Sequence, residues 1–362
     1  MNASNNEAKF PLSERVFLPH FETSGNFDSE NTIGYTPNQL KRAYSFDYGF
    51  SGEGIKTAVI SAFDNVALNN NMAVFNAKNG LADTEVQLFY PYGRTESTSE
   101  AWLVESSLDT QWIHAFAPSS EISVVFSPDA RVENLLMCAR YACKELSADI
   151  VCMCFGTQEG INDKQISDFF EDSECIFVAS SGDVGGKVRF PSTSPFCISV
   201  GGTNLLISET SGRKVSETAW QNGGGGKSDV FEIPMYQGRF FNIYGMTDGM
   251  RGTPDVSVAA NYNPGAAVYV SQLGGWTNVG GTSLAAACFS GVCACIKQKH
   301  PEIRTSTDML SFLYNKAGGD GYAVPQYNFN DITVGKSGNN YAEKGWDFAT
   351  GLGSPVINQI LS

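Results

Sequence analysis

Histidine is almost missing from this chain: 3 residues in 362, at His20, His114 and His300. None lies in a His-Gly-Thr-His run, and no G-x-S-x-G elbow exists, so two common ways of arming a serine hydroxyl are excluded. Charged residues are few, at 17%, and their acidic excess gives a formal net charge of −14. A surface of that sign repels phosphate backbones and anionic lipid, which argues against nucleic acid and membranes as partners. No apolar run approaches the roughly 20 residues needed to cross a bilayer. The start, Met1 to Glu7, has neither a basic region nor an apolar core, so no signal peptide is read there. Cysteine is not scarce, but its nine residues are an odd count. Cys152, Cys154, Cys175, Cys288, Cys293 and Cys295 fall inside apolar strand or helix patterns. They read as buried free thiols of an intracellular chain rather than as a disulfide framework. Cys152-Met153-Cys154 and Cys293-Ala294-Cys295 lack neighbouring histidines and read as core, not as zinc sites.

What is present is the composition of a globular chain, with 42% hydrophobic residues and 37 glycines. The first 34 residues, with Pro11, Pro19 and Gly25, show no sustained period and read as an N-terminal arm. Residues 35–362 read as one domain. From Ile55 onward strands and helices alternate: strands over 55–63, 86–92, 121–127, 149–155, 175–180 and 197–200, with helices over 99–117, 132–146 and 164–170. Near-continuous Val/Ile/Phe/Cys strands in such alternation indicate an α/β fold, a doubly wound parallel sheet covered on both faces. Ligands of such sheets bind at the carboxyl ends of the strands. Residues 201–280, rich in glycine and aromatics, read as loops and hairpins.

The run Gly280-Gly281-Thr282-Ser283, followed by Leu284 to Gly291, sets a hydroxyl at a loop-to-helix turn on a small-residue, buried helix. Free N–H groups and the positive end of the helix dipole surround it. Ser283 there is either a plain N-cap or a nucleophile. With no histidine in a suitable motif, carboxylates are the remaining proton acceptors. Glu105 and Asp109 lie four apart, beside a helical stripe of Ala101, Val104, Leu108 and Ala115. They form either a solvated acidic face or a desolvated pair sharing a proton. Asp183, in Ser181-Gly182-Asp183, follows a buried strand at its carboxyl end; it is either a turn residue or part of the site.

Together these segments resemble the sedolisins, the serine-carboxyl peptidases, over roughly Tyr35 to Pro355. The landmarks stand in family order. Tyr35-Thr36-Pro37-Asn38-Gln39-Leu40 comes first, then the Glu105/Asp109 pair before Ala117-Pro118. Ser181-Gly182-Asp183 follows, then Phe190-Pro191 running to Val200-Gly201-Gly202-Thr203. Pro234-Met235-Tyr236-Gln237, Pro254-Asp255-Val256, the Ser283 run, Asp331-Ile332, Gly345-Trp346-Asp347 and Gly351-Leu352-Gly353-Ser354-Pro355 complete the series. The resemblance implies a subtilisin-like sheet with helices on both faces. It implies Ser283 as nucleophile, Glu105 as base and then acid, Asp109 as the residue orienting Glu105, and Asp183 in the oxyanion hole. An aspartate donates to an oxyanion only when protonated, so acidic conditions are expected. The chain departs from the family pattern at Ala287, at Cys154 and at Ser61, the last where some members carry an acid.

The expected function is a serine endopeptidase acting as a monomer on peptides or proteins; the alternative is an idle relative that binds peptides in the same cleft. The resemblance also implies one structural calcium ion. Its ligands would be the carboxylates of Asp331 and Asp347 with carbonyls of Ile332, Glu343 and Gly345, an oxygen set suited to that ion. Most relatives are exported, against the intracellular reading of the thiols.

Overall fold

The computed structural model describes residues 15–362 apart from 24, 33, 47–48, 209 and 319–326. Its frame is an eight-stranded sheet. The strand Lys56–Ala62 lies centrally, flanked by Glu121–Ser127 and then Gln87–Phe89 on one side. On the other side come Ile150–Met153, Ile176–Ser180 and Ile198–Ile207, with Val256–Ala259 added to the last. All these pairs run parallel; only the edge strand Lys214–Ala219 is antiparallel. A subtilisin-like, doubly wound single domain is therefore what this sequence forms.

Burial follows the pleat. Val59, Val124, Ile150, Cys152, Ile176 and Val178 face one core, while Ala58, Ile60, Val125, Val151, Met153 and Phe177 face the other. Alternate side chains point to opposite faces of a strand, so a strand apolar at every position needs a cover on both sides. The first face is covered by the helices Glu100–Phe116 and Thr282–Lys299, the second by Val132–Lys144 and Asp163–Glu171. No helix among the described residues is long and apolar enough to cross a membrane.

The two helices on the first face touch closely because one of them is built from small residues. A Cβ on Gly291 would stand 2.6 Å from the Phe116 Cβ and 3.0 Å from the Ile113 carbonyl oxygen. All nine cysteines are free thiols, and all but Cys143 are buried. One charged pair is sealed inside: Arg251 grips Asp255 at 2.6 and 2.8 Å, and both are fully buried. The Asp255 carboxylate also accepts from Ser199 N–H and the Tyr314 hydroxyl.

The expected elements appear with small shifts of end. Residues 86–92 supply only the short strand Gln87–Phe89, and the strand expected over 197–200 continues to Ile207 by pairing with the antiparallel edge strand. The helix Leu68–Asn79 was not legible. It presents buried Asn71 and Asn76 where an apolar period would show a helix face. Asn71 finds polar partners in Ser271 and Gln272 instead.

Candidate active site

Ser283 is the second residue of the Thr282–Lys299 helix, reached through Gly281 at φ 105°, a left-handed conformation that favours glycine. Its hydroxyl is fully buried and donates to the Cys154 carbonyl at 3.1 Å. Glu105 and Asp109 come from the middle of the Glu100–Phe116 helix, and neither is exposed to solvent. The sequence left a solvated acidic face open for this pair; the burial removes it. No oxygen of either carboxylate has a partner in hydrogen-bonding geometry. Burial holds the Glu105 carboxyl well above its ordinary range, the Asp109 charge adds to this, and the nearby Ser283 hydroxyl opposes it. Burial likewise pushes Asp109 up to about 7, with the nearby Cys154 thiol and Glu105 carboxyl opposing the shift. Two desolvated carboxylates one helical turn apart cannot both ionise cheaply, so the pair retains a proton.

Asp183 lies just beyond the carboxyl end of the strand Ile176–Ser180, where the sheet topology places ligands. One of its oxygens accepts from the Thr282 N–H at 2.9 Å and the Thr282 hydroxyl at 2.7 Å. The other, Oδ2, is buried and unpartnered. Burial pushes this carboxyl up to about 7, Thr282 opposes the shift, and the charge of Glu22 adds to it.

Sequence reasoning read an N-terminal arm but missed its path. Residues 18–23 run through the cleft: Leu18–Pro19 pairs antiparallel with Phe155–Gly156, and Glu22–Thr23 pairs antiparallel with Val279–Gly280. Between these contacts the peptide crosses Ser283. The Ser283 N–H donates to the His20 carbonyl at 2.9 Å, and the His20 N–H donates to the Ser283 hydroxyl at 3.2 Å. Gly281 marks the crossing point, since a Cβ there would collide with the His20 carbonyl oxygen and the Phe21 Cα and stand 2.6 Å from Asp183 Oδ2. The arm is held by main-chain pairing, which leaves no motif in its sequence.

No imidazole serves the serine hydroxyl among the described residues. The His20 ring turns away, its Nδ1 2.9 Å from the Ser180 hydroxyl. His114 is bonded to the Ala82 carbonyl, and His300 lies beside Glu302 at the far end of the serine helix. Ser61 is buried with its hydroxyl unpartnered.

The second set of residues lies apart from the cleft. Asp347 is buried and accepts from the Glu343, Ala349 and Thr350 N–H groups, each at 2.8 Å. Asp331 accepts from the Gly345 N–H at 3.0 Å. Neither forms an ion pair among the described residues, and burial lifts both carboxyls, Asp347 to about 6. The segment 343–347 thus ties together two carboxylates that form no ion pair among the described residues, though Lys344 opposes the shift of Asp331. With Ile332, Glu343 and Gly345 supplying carbonyls nearby in sequence, that donor set fits a hard, oxygen-seeking cation.

Comparison with known proteins places the chain as a whole. A model of the Subtilase family matches residues 101–353. Kumamolisin of Bacillus sp. (strain MN-32) is 30% identical over 404 residues, covering 98% of this chain and 70% of that protein. Sedolisin of Pseudomonas sp. (strain 101) is 30% identical over 194 residues, covering 48% of this chain and 30% of that one. Tripeptidyl-peptidase SED1 of Arthroderma otae is 30% identical over 214 residues, covering 48% of this chain and 29% of its own. Among solved structures, Pseudomonas sedolisin, a serine-carboxyl proteinase complexed with two molecules of pseudo-iodotyrostatin, superposes with a TM-score of 0.79 at 23% identity. That superposition covers 91% of this chain and 98% of the other.

Proposed function

Because the chain belongs to the sedolisin family of serine-carboxyl peptidases, we propose that it is an endopeptidase cutting peptide bonds through an acyl-enzyme on Ser283. The observation that carries this is the arm peptide, whose His20 carbonyl accepts the Ser283 N–H with Asp183 Oδ2 facing the same point. A substrate carbonyl in that place puts its carbon before the serine hydroxyl and its oxygen between two donors, once Asp183 is protonated. Ser283 Oγ would attack that carbon, Glu105 would take the hydroxyl proton, and the serine N–H and Asp183 would hold the oxyanion. Glu105 would then return the proton to the departing amine, and water would release the acyl group by the reverse steps. Asp109 would orient Glu105 and take over the pair's shared proton as Glu105 accepts the one from serine.

The acid preference follows from Asp183. Its carboxyl donates only while protonated, so activity should fall as pH rises through about 7. The endo mode is supported by the path of the arm. Upstream of His20 the chain continues past Pro19 and Leu18 to Phe17, which is buried against Phe155 and Phe190, and to Arg15, which pairs with Asp163. A peptidase that releases tripeptides needs that end closed, and the arm's continuation beyond its third residue supports the endo reading.

We further propose that Asp331 and Asp347, with the carbonyls of Ile332, Glu343 and Gly345, hold one calcium ion. Bound there, the ion would neutralise the two carboxylates and stiffen the segment between them, away from the chemistry. Residues 1–34 are proposed as an arm distinct from the 35–362 peptidase domain. Hydrolysis of an unfolded protein such as casein across a pH series, with Ser283→Ala beside the parent chain, tests the central proposal. Equal turnover by the two chains, or an alkaline optimum, would remove it.

A further inference from the structure

The arm also shows which pocket receives the side chain of the residue whose carbonyl faces Ser283. The His20 side chain fills that pocket, and His20 is only 6% exposed. Two walls are glycines that leave it room. A Cβ on Gly156 would stand 2.6 Å from the ring Cε1, and one on Gly182 would stand 3.7 Å from it. A third wall is Ser180, hydrogen-bonded to the ring. The fourth is Arg189, whose stem runs along both glycines: its Cβ would lie 3.1 Å from a Cβ on Gly156, and its Cγ 2.7 Å from one on Gly182. Its charge reaches the ring, where it adds to burial in keeping the imidazole neutral.

Arg189 is partly buried, yet among the described residues its guanidinium has neither an ion-pair partner nor a side-chain hydrogen bond. The contrast within the same molecule is informative. Arg15 is answered by Asp163 and Arg251 by Asp255, each at about hydrogen-bond distance. A partly desolvated cation without a partner is costly, and a ligand that brings the missing anion recovers that cost. In a chain of net charge −14, a partly buried arginine left unanswered among the described residues at this pocket wall points to a ligand that supplies the counter-charge.

We infer that Arg189 selects substrates with an acidic side chain, glutamate above all, on the residue that contributes the carbonyl to the cut. This rests on the peptidase reading above. Glutamate suits the depth, since its carboxylate oxygens lie as many bonds from Cα as the Cε1 atom of His20. Lysine would bring a like charge against Arg189, and glutamine is the neutral measure of the pocket's shape. The arm's own neutral imidazole leaves the guanidinium unanswered, so an acidic substrate competes with the arm on favourable terms.

Four peptides that differ only at this residue, as Glu, Gln, His or Lys, separate the outcomes. With the full chain near pH ~5, where most glutamate side chains are ionised, kcat/KM should be about tenfold higher for Glu than for Gln, and lowest for Lys. Arg189→Gln should bring Glu and Gln level. Arg189→Asp should invert the order of Glu and Lys, and a gain for the Lys peptide cannot come from misfolding. Binding of the same four peptides to the Ser283→Ala chain gives a readout that needs no turnover. Should no peptide be cut while Ser283→Ala still binds Glu best, the peptidase reading fails and the pocket assignment stands. Equal treatment of Glu and Lys by the parent chain, or an unchanged ratio in Arg189→Asp, would overturn the inference.

Discussion

Acid should loosen the arm from the cleft, and His20 sets the size of the effect. Docked, its imidazole is held at a pKa of about 3, chiefly by burial and then by Arg189. An undocked arm would carry an ordinary histidine near 6.5. The docked state therefore binds fewer protons, so docking is weakened as pH falls below 6.5 and continues to weaken until about 3. The slope is about 1.4 kcal/mol per pH unit, so two units below 6.5 remove about 2.7 kcal/mol, or roughly a hundredfold in the docking equilibrium. Asp183 works in the opposite sense, because burial and Glu22 raise its pKa while the arm is in place. The His20 contribution is isolated by comparing the parent arm with His20→Gln, both in the Ser283→Ala chain so that nothing is cut. Hydrogen exchange of residues 15–23, corrected for intrinsic rates, reports docking at each pH. Protection in the parent should fall about fiftyfold further than in His20→Gln between pH 6.5 and 4.5, since half of the undocked histidine is already charged at pH 6.5. Parallel profiles for the two chains would refute the reasoning.

At acid pH the parent chain should acquire a new N-terminus at Phe21, seen by intact mass, while Ser283→Ala and Glu105→Gln stay whole. Asp183→Ala should lose about 10²–10³-fold in kcat and Asp183→Asn less, because an amide still donates. Chelation should lower the melting temperature by several degrees, and Asp347→Asn should abolish the difference made by added calcium; an unchanged melting temperature with no calcium by elemental analysis would exclude the site. Asp255→Ala should cost about 3–5 kcal/mol in urea unfolding, because it strands the buried Arg251 guanidinium; a loss under 1 kcal/mol would show that water reaches the pair.

What the sequence made legible was what regular periods encode. Glu105 and Asp109 were placed together by four-residue spacing, and Ser283 by its glycine pair and small-residue helix. The parallel sheet followed from strands apolar at every position. What stayed hidden has no period. The helix Leu68–Asn79 buries Asn71 through hydrogen bonds with residues some 200 positions away, which no local window contains. His20 reaches the cleft because the backbone on either side of it pairs with strand edges, and main-chain pairing is indifferent to side chains. Arg189 is unremarkable until the fold brings Gly156 and Gly182 to the same pocket.

The contact at Gly291 has a mechanical consequence. The proposed nucleophile and base ride on two separate rods, and the gap between the rods is gauged where Gly291 meets Phe116 and Ile113, two turns along from Ser283. Even a methyl group inserted there would act as a shim, prying the rods apart and lengthening the reach from Glu105 to the serine hydroxyl while every catalytic atom remained in the chain. The calibration of the proposed proton transfer would thus be stored in an absence of side chain, two helical turns from the serine it serves.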